Sequence, residues 1–548
     1  MTAGGDRRVL DGDPLAHRRW RAPREHGGVL IDPPVADLST VIAANQLRRR
    51  SADYDVQGRS LRALAETGRQ ELVELARRYT STYRNVASPT SGERLFLAGH
   101  QPELFHPGVW YKNFALSRLA RDHGGVAVNL VVDSDTIKHV SLRVPGGALD
   151  SPIVESMAFD AAADEIPYEE RDIEDRGLFD SFGARAADWI RPIVENPLLD
   201  EFWPLARGRA GATRNLGECL AQARHQLEGS WGLETLEIPQ SQVCSLPTFH
   251  WFTAHVLAQL PRFRTVYNEA VNAYRRVNRV RSANHPVPNL AADGDLLEAP
   301  FWLWSSSAPR RRRLFVRRHS HGMTLTDRRR VEVEIPLREE GDATSAVEAL
   351  AGLAAQGVKL RGRALLTTLF ARLVLADLFI HGIGGAKYDQ LTDELIRGFF
   401  GLEPPSYLVI SATLHLATPT SSVMPDEMRR LDRELRDLEY HPERYLAGLH
   451  SWAGAPVDVE RWLSLKARWL STEQTRENGR ERCHAIRAAN EALQAWIEPR
   501  RRELARHRQE SLRQLRSAGA LTSREYAFCL YPADSLRENL LAFPGTTP

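Results

Sequence analysis

Cysteine is scarce in this chain of 548 residues, and its spacing excludes several kinds of site. The four cysteines lie far apart, at Cys219, Cys244, Cys483 and Cys529, and none belongs to a CxxC pair. That spacing predicts neither a disulfide framework nor a zinc site. The first residues, MTAGGDRRVLDGDP, lack the apolar core of a signal peptide. We therefore expect a reduced, cytoplasmic protein.

The chain also has little net charge and no long uninterrupted apolar run. Its 72 basic and 70 acidic residues give a formal charge of +2, so no general attraction to nucleic acid or an anionic membrane is expected. Arginine runs at 310–313 and 328–330 are typical of solvated hairpins, because no aromatic stacking pattern accompanies them. The longest apolar run, Ala364 to Ile383, is broken by Arg372 and Asp377, which argues against a membrane span.

Several catalytic signatures are missing as well. The sequence contains no GxSxG, no HExxH and no Walker motif with its Lys-Ser/Thr end. His319-Ser320-His321 is the densest histidine pattern, and a polar hairpin edge explains it more readily than a metal site does. We therefore predict no dedicated metal site.

The most informative stretch that is present runs from Leu95 to Asp135. Residues 95–98 and 126–132 are apolar runs typical of strands buried on both faces. Between them, a helix is predicted from about Pro107 to Asp122. Two parallel strands joined by a helix form a βαβ unit, and ligands bind beyond the carboxyl ends of such strands.

Polar residues follow both predicted strands. Gly99, His100 and Gln101 follow the first, and His100 is suited to carry a proton near neutral pH. Asp133 and Asp135 follow the second. These two carboxylates can hold Mg²⁺ through nucleotide phosphates, or they can cap the next helix or turn. The sequence leaves both interpretations open.

The connecting helix carries Lys112 and Asn113 in its first two turns, beside its buried face. Helical side chains lean toward the N-terminus, so both residues can reach the His100–Gln101 turn. A lysine next to a helix N-terminus favours a phosphate or carboxylate pocket. The alternative is that Lys112 extends to solvent and His100 only caps the turn.

We predict four regions from composition and periodicity. They are a flexible N-terminal arm (1–37), an N-terminal helical segment (38–90), an α/β core (91–420) with insertions at about 150–232 and 282–345, and a C-terminal helical region with a closing segment (421–548). Within the core, residues 240–244 are a strand candidate and Ala364 to Ile380 a long helix. The turn that follows, Gly382-Ile383-Gly384-Gly385, permits close approach of a ligand to the backbone, although a tight turn is the simpler explanation.

The C-terminal region is charged and helical in pattern. Ile486, Ala489, Leu493 and Trp496 form an apolar seam, and Pro499 predicts a kink or bend after it. A seam of this kind is typical of a packed hairpin or a dimer interface. The aromatic residues of the last segment are expected to fold back onto the core.

Three blocks of the sequence resemble the bacillithiol-biosynthesis cysteine-adding enzymes (the BshC family). They are LFLAGHQPELFHPGVWYKNFALSRLA, LEIPQSQVCSLPTFHWF, and LRGRALLTTLFARLVLADLFIHGIGGAKYDQLTDELIRGFFGLEPPSYLVISATLHL. They occur in the family's order, and the resemblance covers most of the chain from about residue 40. The helical tail with its aromatic end also fits.

This resemblance implies a Rossmann-like nucleotide-binding core with helical insertions and a C-terminal coiled coil used for homodimerisation. The implied activity is formation of an amide between cysteine and a glucosaminyl-malate acceptor. Gly99, His100 and Gln101 stand where the family has Gly-Gln-Gln, and Lys112 stands at its lysine. Asn113 is the neighbouring candidate for cofactor binding.

Other positions match the family's glycine turn or depart from its acidic positions. Gly382, Gly384 and Gly385 fall in the glycine turn, and Asp389 is the candidate for the acidic residue that follows it. The family's acidic EDHD cluster is replaced by residues 133–136, DSDT, which lack its histidine.

The combined hypothesis is an α/β ligase that joins an amine to a carboxylate acceptor. It assigns charge stabilisation to Lys112, proton transfer to His100 and binding of a metal or amine to Asp133 or Asp135, with Gln101 beside them. ATP or ADP with Mg²⁺ is the candidate cofactor. A competing hypothesis is a non-catalytic metabolite-binding protein whose coiled coil recruits a partner.

Overall fold

The computed structural model describes residues 20–86, 94–416, 425–446 and 457–543. It is a mixed α/β fold with 53% helix and 19% strand. The chain divides into two compact units. The first comprises residues 1–144, 155–416 and 524–548, and the second comprises residues 145–154 and 417–523.

The strands are β1 (Gly28–Asp32), β2 (Asp55–Val56), β3 (Arg59–Ser60), β4 (Arg94–His100), β5 (Gly125–Val131), β6 (Ser141–Ala148), β7 (Ser151–Ala158), β8 (Leu236–Pro239), β9 (Ala292–Asp293), β10 (Leu296–Ser305), β11 (Ala308–His319), β12 (Gly322–Thr326), β13 (Glu332–Ile335), β14 (Val358–Gly362), β15 (Leu378–His381) and β16 (Leu408–Thr413).

The helices are α1 (Leu38–Ser51), α2 (Leu61–Ser81), α3 (Pro107–Asp122), α4 (Arg176–Ile190), α5 (Leu199–Arg209), α6 (Leu216–Ser230), α7 (Gln240–Val243), α8 (Pro247–Ala258), α9 (Leu260–Val277), α10 (Thr344–Gly352), α11 (Ala364–Phe370), α12 (Ile383–Leu395), α13 (Pro425–Tyr440), α14 (Glu443–Leu446), α15 (Val457–Ser471), α16 (Gly479–Leu521) and α17 (Ala533–Leu541).

A six-stranded sheet forms the centre of the first unit, in the order β1-β16-β15-β4-β5-β8. All neighbours in it are parallel except the edge strand β1, which runs antiparallel to β16. Strand β1 lies within the predicted N-terminal arm, and residues 1–19 of that arm lie outside the described residues. The predicted βαβ unit is confirmed: β4 and β5 are parallel, and α3 has the predicted bounds.

Close packing fixes this βαβ unit. Leu95 and Leu97 of β4 are fully or almost fully buried, and so is Leu72 of α2 in the same apolar core. At Gly108, in the first turn of α3, a Cβ atom would lie 2.3 Å from the carbonyl oxygen of Ala412 in β16. Only glycine allows that approach, so the start of α3 is held directly against the sheet.

An antiparallel sheet follows later in the first unit, in the order β13-β12-β11-β10-β14, with β9 paired to β10. In the hairpin of β10 and β11, residues 297–299 pair with residues 314–316, and Trp302 and Leu303 pair with Arg313 and Arg312 after a shift in register. His319 ends β11 and faces Gly322 across a tight hairpin, so the explanation of the histidine pattern as a polar hairpin edge is confirmed.

Two predicted elements of the core are wrong. Residues 240–243 form helix α7, and the strand is the preceding segment β8. The predicted helix from Ala364 to Ile380 is shorter in the structure: α11 is followed by one π-helical turn, Ala371–Leu375. Strand β15 then begins at Leu378. A short apolar run does not distinguish a buried helix from a buried strand. The helical pattern of α11 therefore also fits the residues of β15, although they form a strand.

Buried Asp377 marks the boundary that the periodicity missed. Its side chain accepts hydrogen bonds from the backbone N–H of Leu95, at 2.7 Å, and from Arg69, at 2.8 Å. It also ion-pairs with Arg49. Because these partners come from α1, α2 and β4, they fix the start of β15 beside β4 through contacts that a local pattern does not contain.

The second unit has its own apolar core, formed by helices among its described residues. Helices α13 to α16 contribute Leu431, Leu438, Leu446, Val459, Leu463, Leu493, Ile497 and Leu504. Helix α16 is 43 residues long and continues through Pro499. The predicted seam is correct at Ala489 and Leu493, whereas Trp496 is 45% exposed and Ile497 is buried in its place.

The closing segment belongs to the first unit and folds onto its core, as predicted. Phe528 is fully buried, its ring centroid lies 4.4 Å from that of Trp110, and its backbone N–H donates to the Phe105 carbonyl at 2.9 Å. No helix among the described ranges has both the length and the apolar character needed to cross a membrane.

Candidate functional site

The strand order of the parallel sheet reverses between β4 and β15. From β4 the chain proceeds outward to β5 and β8, and it then returns to the other side of β4 for β15 and β16. In open α/β sheets, ligands bind at the carboxyl ends of the strands where the order reverses. Gly99 and His100 are the last residues of β4, and Gln101 follows them. Gly382 follows β15, and the next three residues, predicted as part of a glycine turn, already form the first turn of helix α12.

Lys112 lies between these two strand ends. Its Nζ donates to the Gly99 carbonyl oxygen at 2.7 Å, and a Cβ atom placed on Gly382 would lie 4.0 Å from its Cδ. The residue is only 5% exposed, so the prediction that it reaches the first turn is confirmed, and the alternative of a solvent-directed lysine is wrong. Burial, with a smaller effect from Arg224, lowers the pKa of Lys112 to about 8.

His100 is buried against Asn113. Its Nε2 lies 3.2 Å from Asn113 Oδ1, and its Nδ1 lies 3.2 Å from the Gln101 carbonyl oxygen. Burial, together with the positive charges of Arg224 and Lys112, holds the pKa of His100 well below its usual value. The imidazole is therefore neutral at pH 7 and donates to one of the two oxygens at a time.

A buried charge network lies behind this pair, and the sequence analysis missed it. Asn113 Nδ2 and Trp110 Nε1 both donate to Glu228 Oε1, at 2.7 and 2.6 Å. Arg224 bridges Glu228 to Glu237. Burial raises the pKa of Glu237 to about 7. A glutamate inside the apolar strand β8 was the one signal in the sequence that could have indicated such a network.

Asp133 receives its hydrogen bonds from the start of α7. Its Oδ1 accepts from the Ser241 backbone N–H at 2.8 Å, and its Oδ2 accepts from the Ser241 hydroxyl. Asp133 therefore binds a helix that lies 108 residues further along the chain, and the interpretation that it caps the next helix or turn is wrong. Burial, with the charge of Glu169 adding to it, raises the pKa of Asp133 to about 7.

Asp135 is held by donors on both sides. Gln101 Nε2 donates to its Oδ2 at 3.0 Å, and Arg311 ion-pairs with its Oδ1 at 2.8 Å. Burial raises the pKa of this carboxyl, but the bonds from Gln101 and Arg311 outweigh that effect and leave it below its usual value. The described residues contain no group of three or more His, Cys, Asp or Glu side chains placed to hold a metal ion.

Asp389 is buried near the second turn. Its Oδ2 accepts from His381 Nε2 at 2.9 Å and from Arg372 at 2.6 Å, and Arg372 also contacts Asp393 at 2.6 Å. Despite burial, the charge of Arg372 holds the pKa of Asp389 well below its usual value. Asp389 therefore anchors the helix after the glycine turn, through two residues that the sequence analysis did not single out.

The glycines of the second turn are not equivalent. A Cβ atom on Gly385 would lie 2.8 Å from His381 Nδ1, whereas one on Gly384 would meet nothing within 4 Å. Gly385 therefore makes room for His381, and Gly384 faces open space beside the turn. The sequence alone does not distinguish the two glycines, because both belong to the same predicted glycine turn.

A further cluster at the end of β5 was also missed. Arg361 of β14 makes two hydrogen bonds to Glu169, at 2.9 and 2.8 Å, and Lys359 contacts the same carboxylate at 3.3 Å. Because Glu169 raises the pKa of Asp133, the cluster influences the candidate site electrostatically. Glu169 lies 190 residues or more from both cations in sequence, so no local motif could reveal the cluster.

The strand ends therefore combine a buried cationic lysine, a neutral histidine and two glycine turns. Such a site suits an anionic ligand, because an ammonium group and the N-terminus of α3 both favour negative charge there. No protein-family model and no curated protein matches this sequence.

Proposed function

We propose that this chain is a BshC-like carbon–nitrogen ligase with a Rossmann-like core. In this proposal it adds cysteine, or another amine, to a sugar-malate-type or other carboxylate acceptor. The observation that carries the proposal is the position of Lys112 between the Gly99 and Gly382 turns, where the strand order reverses. The sequence resemblance places the family's lysine and glycine turns at these same positions.

The strand order supports the Rossmann-like core. Numbered along the chain, the parallel strands β4, β5, β8, β15 and β16 are first to fifth, and they lie in the order 3-2-1-4-5. This is the order of the dinucleotide-binding Rossmann fold, up to its fifth strand. A ligand between β4 and β15 would lie next to Lys112.

The residues present suit the phosphate part of ATP or ADP. One N–H of the Lys112 ammonium is used by Gly99, and an ammonium group has three donors. Gly384 leaves open space beside the second turn. When bound, ATP would supply the group that activates the acceptor carboxylate. Lys112 would stabilise the negative charge that develops at the carboxyl oxygen.

His100 would act through its neutral form. Because its pKa is held well below 6.5, the imidazole is uncharged but weakly basic. It would accept the proton from the acidic ammonium group that forms when the amine attacks the activated carboxyl carbon. This role differs from a carrier that titrates near pH 7. Asn113 would orient the ring through its contact with Nε2.

Mg²⁺ fits less well at the two carboxylates predicted to hold it. Asp133 is bonded to Ser241, and Asp135 is bonded to Gln101 and Arg311. We therefore assign no step to a metal held by these carboxylates. This observation favours the competing proposal, a non-catalytic protein that binds an anionic metabolite. Homodimerisation through the C-terminal helices and a cytoplasmic location stay predictions from the sequence.

An activity assay separates the two proposals. The protein is incubated with cysteine, ATP and glucosaminyl-malate, and the amide product is sought by mass spectrometry. The ligase proposal predicts product with the wild type and with Lys138→Met, which changes an exposed lysine, but a loss of about 100-fold or more with Lys112→Met. Binding of ATP with no product, over a panel of amine donors and carboxylate acceptors, would support the non-catalytic protein.

A further inference from the structure

A second polar pocket lies on the antiparallel sheet of the first unit. It is a cavity of about 550 Å³, lined by arginines from residues 311–313 and by Arg328 and Arg329, together with Trp302 and Phe315. That volume lies within the range of small-molecule sites. The two arginine runs, predicted separately as solvated hairpins, therefore face one space.

The topology of the sheet brings the two runs together. Trp302 of β10 is the register partner of Arg313 in β11. The turn after β12 is fixed by Asp327, whose Oδ1 accepts from the backbone N–H groups of Arg329 and Arg330 at 2.9 and 2.7 Å. Arg328 and Arg329 are thereby held at the edge of the pocket.

Aromatic rings accompany these arginines, contrary to the expectation from the sequence. The guanidinium carbon of Arg311 lies 5.0 Å from the Trp302 ring centroid, and that of Arg363 lies 4.4 Å from it. Arg328 lies 4.9 Å from the centroid of Phe315. Trp302 and Arg311 lie on the adjacent strands β10 and β11, and Phe315 and Arg328 are separated by β12, so these contacts arise from strand pairing and not from a linear stacking pattern.

The lining residues carry an excess of positive charge. Five arginines against Asp327 give a formal charge of +4. Nearby carboxylates compensate much of it: Arg311 contacts Asp135 at 2.8 Å, Arg313 contacts Glu298 at 3.3 Å, and Arg328 contacts Asp293 at 2.6 Å. Each guanidinium has five N–H donors, so one carboxylate contact leaves further donors for a ligand.

We propose that this pocket binds a small molecule with two or more neighbouring negative charges, borne by phosphate or carboxylate groups. Arginine suits such groups because its planar donors form paired hydrogen bonds to two oxygens. Trp302 provides a flat wall for an apolar part of the ligand. The proposal does not depend on the reaction at the strand ends. Arg311 joins the two places, because it lines the pocket and ion-pairs with Asp135.

Calorimetric titration of the full-length protein with pyrophosphate, ADP and succinate tests this proposal. At least one of them is expected to bind the wild type at sub-millimolar concentration. The double variant Arg328→Gln/Arg329→Gln should weaken that binding by about tenfold or more. The matched control is Arg77→Gln/Arg78→Gln, two exposed arginines of α2, and it should bind like the wild type.

The three probes identify the ligand chemistry. Binding of pyrophosphate but not succinate indicates phosphate groups, and the reverse indicates carboxylates. Tighter binding of ADP than of pyrophosphate to Lys112→Met, which lacks the lysine of the proposed nucleotide site, indicates that the ring is used. Arg313→Gln is a second variant, on β11, and should weaken the same probe if the turn variant does not fold. Lys112→Met should leave pyrophosphate binding at this pocket unchanged.

Three results would overturn the proposal. One is that no probe binds the wild type at millimolar concentration. Another is binding that the arginine variants retain and Lys112→Met abolishes, which would assign the anion to the strand ends. The third is tighter binding of oligothymidine than of any small probe, lost in the same arginine variants, which would make this surface a single-stranded nucleic-acid site.

Discussion

The Lys112 ammonium donates to the carbonyl oxygen of Gly99, at 2.7 Å, from within the helix that joins β4 to β5. The contact joins α3 to the end of β4. The same lysine also approaches Gly382, which follows β15. Because the amine is buried, its charge is poorly solvated and available to a bound anion. The proposed function depends on this arrangement.

Replacing Lys112 should change how stability depends on pH. Burial lowers the pKa of Lys112 to about 8 from 10.5, so the unfolded chain binds more protons than the folded one between these values. Wild-type stability should therefore rise with pH across this window, by on the order of 3 kcal/mol from this residue. Lys112→Met should lack that rise in urea unfolding measured from pH 7 to 10.5. Parallel curves for the two proteins would contradict the buried charge.

Asp133 should have the opposite effect to Lys112: its titration should lower the stability of the wild type as pH rises. Its pKa is raised to about 7 from 3.8, so its contribution to stability is fully present below pH 3.8 and is lost as pH rises through 7. Asp133→Asn keeps an oxygen for the Ser241 N–H and removes the titration. We expect its stability relative to wild type to increase between pH 4.5 and 8, as measured by urea unfolding. A constant difference over that range would show that Asp133 does not titrate there.

The two glycines at the start of α12 form a matched pair. Gly385→Ala would place a Cβ atom 2.8 Å from His381 Nδ1 and should destabilise the fold by about 1–3 kcal/mol. Gly384→Ala meets nothing within 4 Å and should stabilise the helix by up to about 1 kcal/mol. Thermal unfolding of both variants measures the difference. Equal effects would contradict the tight packing of His381 against this turn.

Replacing Asp389, the buried partner of Arg372, should lower the free energy of unfolding. Asp389→Asn leaves Arg372 with Asp393 as its nearest carboxylate, and we expect a loss of about 3 kcal/mol in unfolding free energy at pH 7. Since the pKa of Asp389 is lowered, its contribution is present above pH 3.8 and is lost as pH falls, so the deficit should shrink in acid. Asp188→Asn, at an exposed position, is the control.

The sequence predicted the parts of the fold that local patterns encode. The apolar runs of β4 and β5 and the periodicity of α3 were sufficient for the βαβ unit, and the lean of helical side chains was sufficient to bring Lys112 to Gly99. Strand β15 was missed because its four residues continue the apolar run of α11. Its position is determined by contacts of Asp377 with distant segments.

The sequence predicted which residues lie at the candidate site better than it predicted their contacts. Asp133 and Asp135 were placed at the correct strand end, but their partners Ser241 and Arg311 lie more than 100 residues away. The low pKa of His100 results from burial and from Arg224, neither of which its neighbours in sequence indicate. Such electrostatic effects arise only once the chain has folded.

The most direct test of the account is calorimetric titration of ATP and ADP, with Mg²⁺, into the wild type, Lys112→Met and Lys138→Met. The same titrations of the Arg328→Gln/Arg329→Gln variant separate any heat that comes from the second pocket. We predict binding to the wild type and Lys138→Met that Lys112→Met weakens by tenfold or more, about 1.4 kcal/mol. Equal affinity in all three proteins, or no binding at millimolar nucleotide, would contradict a nucleotide site at the ends of β4 and β15.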